Sequence, residues 1–72
     1  MNNALSPQDL KDEGLRLFQQ GNHGQALSTF EQAAAAFAAQ DDSGSQAEML
    51  NNMGVILRVQ GKLDTAVTTL PH

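Results

Sequence analysis

Laid over itself at an offset of forty residues, the chain matches itself. Leu10 falls on Leu50, Gly14 on Gly54, Leu17 on Leu57, Gln20-Gly21 on Gln60-Gly61, Ala26 on Ala66 and Thr29 on Thr69. Neighbouring pairs agree in kind: Leu15 with Val55, Leu27 with Val67, Ser28 with Thr68, Phe30 with Leu70. One offset accounts for every pair. Self-similarity at a period of about 20–50 residues marks supersecondary units that stack because none can bury its apolar face alone. Stacked units present extended surfaces, and the expected work of such a surface is to bind other proteins.

A chain of 72 residues holds at most one domain. At that length only about 60% of the unfolded surface is buried on folding, so the core is marginal. There is no cysteine, hence no disulfide framework and no thiolate metal site, which fits a reducing, cytoplasmic setting. The net charge of −4 and the scatter of the four bases, Lys11, Arg16, Arg58 and Lys62, argue against nucleic acid, whose phosphates need clustered Lys and Arg. No basic, apolar leader opens the chain, and no run approaches the roughly 18 apolar residues of a membrane span.

Helix signals succeed one another along the chain. Ser6 stands as an N-cap before Pro7, with Asp9 in the first turn. Leu10, Gly14, Leu17 and Phe18 then recur at helical spacing until Gly21. A second helix is expected from about Gln25 to Gln40, with Ala26, Leu27, Phe30, Ala33, Ala34, Phe37 and Ala38 as its apolar stripe. Asp41 to Ser45 read as a polar turn, and Ser45 with Glu48 as a capping box. The third helix carries Leu50, Met53, Gly54 and Leu57 and is expected to stop at Gly61. A fourth begins near Leu63, with Ala66, Val67 and Leu70 on one face and Pro71 closing it. No segment has the alternation of a strand, so the expected class is all-α, one domain over residues 1–72, with units at about 7–40 and 45–70.

These residues resemble the tetratricopeptide repeat family over nearly the whole chain. The first unit carries the pattern at Leu10, Gly14, Leu17, Gly21, Ala26, Phe30 and Ala33. The second carries it at Leu50, Gly54, Leu57, Gly61, Leu63, Ala66 and Leu70. Glu13, His23 and Ala38 depart from it, and the spacing exceeds the family's usual one, which implies a longer second helix in unit one. The resemblance implies an α-α superhelix, a solenoid of two antiparallel helix hairpins, the second truncated at Pro71. Glycine within a helix costs about 1 kcal/mol relative to alanine, a cost that close helix packing can offset. Ala26 and Ala66 are the expected small partners of Gly14 and Gly54.

No constellation for catalysis stands out, and a non-enzymatic role without cofactor or metal is the expectation. His23 and His72 lack ligand partners at metal-site spacing, and His23 reads as a packing residue. Gly61-Lys62 lacks the Ser or Thr and the earlier Gly of a phosphate loop. The resemblance places the working surface on the concave face, lined by the first helix of each unit. That assigns partner binding to Lys11, Leu15 and Phe18 from unit one and to Asn51, Asn52, Val55, Arg58 and Val59 from unit two. Lys11 and Asn52 also stand at two of the five positions with which one subset of the family clamps C-terminal carboxylates, while Leu15 replaces an Asn of that set.

The expected function is a protein–protein interaction module that takes a peptide or partner helix in the groove. The alternative is a structural fragment of a longer repeat protein whose main contact is with its own kind. Arrays of this sort need about three repeats or a cap, so the isolated chain is expected to form a homodimer or higher oligomer, by end-to-end stacking or by helix exchange through residues 41–45. A helix-turn-helix DNA binder is disfavoured by charge.

Overall fold

The computed structural model describes residues 5–69, with side chains described as far as Lys62. The described chain is all-helical: α1 (Pro7–Gln19), α2 (His23–Ala39) and α3 (Ser43–Thr69). α1 opens on the expected cap, which is reciprocal. The Asp9 amide donates to Ser6 Oγ at 3.1 Å, and the Ser6 amide donates to Asp9 Oδ2 at 3.2 Å. It closes at the expected glycine. Gly21 has φ +82°, its amide donates to the Phe18 carbonyl at 3.0 Å, and the Asn22 amide donates to the Leu17 carbonyl at 2.9 Å. This pair of bonds satisfies the last carbonyls of the helix and turns the chain back.

The same closure recurs twenty residues on with a different residue in the left-handed position. Asp41 has φ +58°; its amide donates to the Ala38 carbonyl at 3.0 Å and that of Asp42 to the Phe37 carbonyl at 2.9 Å. Aspartate tolerates that conformation better than most residues. Asp42 then caps α3, its Oδ1 accepting from the Ser45 amide at 3.1 Å. The expected capping box of Ser45 with Glu48 is therefore displaced: Ser45 lies inside the helix as a donor, and the cap is the aspartate three residues earlier.

α2 is the central helix and packs on both others. It supplies most of the buried side chains, Ala26, Phe30, Ala33, Ala34 and Phe37, and α3 adds Met49 and Ile56. Leu10, Leu17, Phe18, Leu27 and Met53 close around this cluster, half-buried. Ala38, placed on the stripe by sequence, is exposed. Gly14 is buried because α2 lies against it: a Cβ there would stand 2.7 Å from Phe30 Cε1. The group that needs the missing side chain is thus the Phe30 ring rather than Ala26.

Two expectations fail in α3. Gly61 does not end it, and one helix of 27 residues stands in place of a third and a fourth. The second hairpin is consequently not formed in the described chain. The side chains of Leu63, Ala66 and Val67, expected to form its far wall, lie outside the described residues, as does Leu70 altogether. The buried face is also different. Met49, Met53 and Ile56 meet α2, while Leu50 and Leu57, expected to be core, are 53% and 56% exposed. A shift of one residue rotates a helix face by about 100°, which is the size of the error. No helix among the described residues is long and apolar enough to cross a membrane.

Candidate partner-binding groove

α1 and α3 both pack on α2 and run in the same direction. An ion pair joins them: Lys11 Nζ lies 3.1 Å from Glu48 Oε2, both side chains partly solvated. Helical spacing extends two faces from that pair. On α1, Lys11, Leu15 and Phe18 succeed one another at intervals of four and three; on α3, Glu48, Asn52, Val55 and Val59 do so at four, three and four. With Lys11 beside Glu48, these two faces are the candidate walls of the expected groove.

The expected residues take different places in it. Leu15 and Val55 are each 37% exposed, apolar and unburied by α2, so they are the hydrophobic lining offered to solvent. Asn52 and Val59 are half-buried on the α3 side. Asn51 and Arg58, seven residues apart, share a stripe with Val55 at the outer rim of that wall, and both are exposed. Phe18 is the residue whose place differs from expectation. It is half-buried against the core, and its ring meets that of His23 with centroids 5.4 Å apart and a 36° tilt. It acts as a packing residue, beside His23 at the first position of α2.

Sequence reasoning does not pair Lys11 with Glu48. The signal is present all the same: on two parallel helices whose first turns begin at Pro7 and Ser43, residues 11 and 48 fall at similar heights. The pair occupies Lys11, so a carboxylate ligand there would compete with Glu48 for the ammonium. Glu13, which departs from the repeat pattern, is engaged by Arg16 one turn on, and this hydrogen bond with the accompanying charge raises the guanidinium further into its charged range. That pair lies outside the groove stripe.

Among the described residues no group of three or more His, Cys, Asp or Glu comes together at a metal-binding distance. No protein-family model matches the chain, and neither a curated protein nor a solved structure matches it significantly.

Proposed function

We propose that the chain is a protein–protein interaction module of tetratricopeptide-like design, without catalytic activity, that takes a peptide or partner helix in the groove between α1 and α3. The observation that carries this reading is the pair Leu15 and Val55, two apolar side chains left exposed on neighbouring helices at a site where α2 covers neither. An amphipathic helix or an extended strand of peptide would set apolar side chains on Leu15, Val55 and Val59. Asn51, Asn52 and Arg58 along one wall would orient its polar groups, and Lys11 with Glu48 would bound its path. In such a groove, affinity comes from a few anchors, and Leu15 and Val55 are the candidates.

Selection from a displayed peptide library against the immobilised chain tests the proposal. Selected peptides should lose binding to Leu15→Ser and to Val55→Ser while keeping it for Leu57→Ser, whose side chain lies on a different face of α3. A library that yields no binder, or binders indifferent to both groove substitutions, would remove the groove from consideration. The alternative reading, a structural element whose main contact is its own kind, draws on a separate feature, the exposed stripe of α3.

A further inference from the structure

We draw no further inference here: the strongest candidate, the exposed face of α3 that carries Leu50, Gly54 and Leu57, carries nothing because nothing among the described residues shows what covers it.

Discussion

Leu10, Gly14 and Leu17 in α1 and Leu50, Gly54 and Leu57 in α3 are one stripe written twice, and the two copies meet opposite surroundings. In α1 the stripe is covered: α2 returns from the turn at Gly21, Phe30 fills the space over Gly14, and Leu10 and Leu17 close on the core. In α3 nothing returns among the described residues. The helix continues past Gly61, Gly54 meets no neighbour, and both leucines stand more than half exposed. The residues are the same, so the difference lies in the chain on their C-terminal side. A helix already formed adds residues without paying for a new nucleus, whereas a separate helix over residues 62–70 would have to nucleate at a length at which helices are marginal. After Gly21 the balance goes the other way. There the returning helix has 17 residues and buries Ala26, Phe30, Ala33, Ala34 and Phe37.

The sharpest way to break this comparison is to truncate matched leucines and measure both by urea denaturation. Leu17→Ala should cost about 2 kcal/mol, the low end for leucine removal because the side chain is only half-buried. Leu57→Ala, at concentrations where the chain is monomeric, should stay within about 0.5 kcal/mol of the parent. Equal losses at the two positions would mean that α3's stripe is covered in the monomer and that the two units are alike after all.

Matched glycines give a smaller effect but opposite signs. Alanine at either site gains about 1 kcal/mol of helix propensity. At Gly54 nothing opposes that gain, so Gly54→Ala should stabilise the chain by up to about 1 kcal/mol. At Gly14 the new methyl would press on a Phe30 ring that is 1% exposed and has no room to move, and overpacking of about 1–3 kcal/mol outweighs the gain. Thermal melts of the two variants should therefore move in opposite directions from the parent. Two upward shifts would show the α1–α2 contact to be looser than the geometry implies.

The same division separates the legible parts of the molecule from the rest. The Ser6 cap, the turn at Gly21 and the α2 core at Ala26, Phe30, Ala33 and Phe37 depend on residues close together in the chain, and the structure has them where local signals place them. The buried face of α3 depends on whether another helix comes back after Gly61, a question of tertiary competition that the dipeptide Gln60-Gly61 does not decide, being identical to Gln20-Gly21. Spacing sets Leu15 one turn from Lys11 and Val55 one turn from Asn52, but their assignment to a groove comes from the resemblance and not from local signals. The packing role of Phe18 is not legible either, because it hangs on where α2 begins: His23 enters the helix two residues earlier than expected and brings its ring against that of Phe18.

The three helix starts extend the comparison to a finer effect, readable by pH. α1 is capped by an uncharged hydroxyl, α2 begins at Asn22 with no side-chain cap, and α3 is capped by the Asp42 carboxylate. Hydrogen bonds from Ser45, side chain first and then backbone, hold the Asp42 carboxyl below its ordinary value of 3.8. The sign comes from that direction. A carboxyl whose pKa is lower when folded favours the folded state above its unfolded pKa, and the contribution is lost as pH falls through the folded value. Asp42→Asn keeps a good capping oxygen but neither titrates nor brings negative charge to the helix N-terminus. Near neutral pH the parent should therefore be slightly the more stable of the two. Its lead should shrink once the pH falls below about 4, and vanish at lower pH. Acid titrations of the two chains followed by circular dichroism would show it. If the two curves stayed parallel down to the lowest pH, Asp42 would not be capping α3 in solution. The long helix would then be free to start at Ser45 as its sequence suggests, leaving α3 shorter at its first turn.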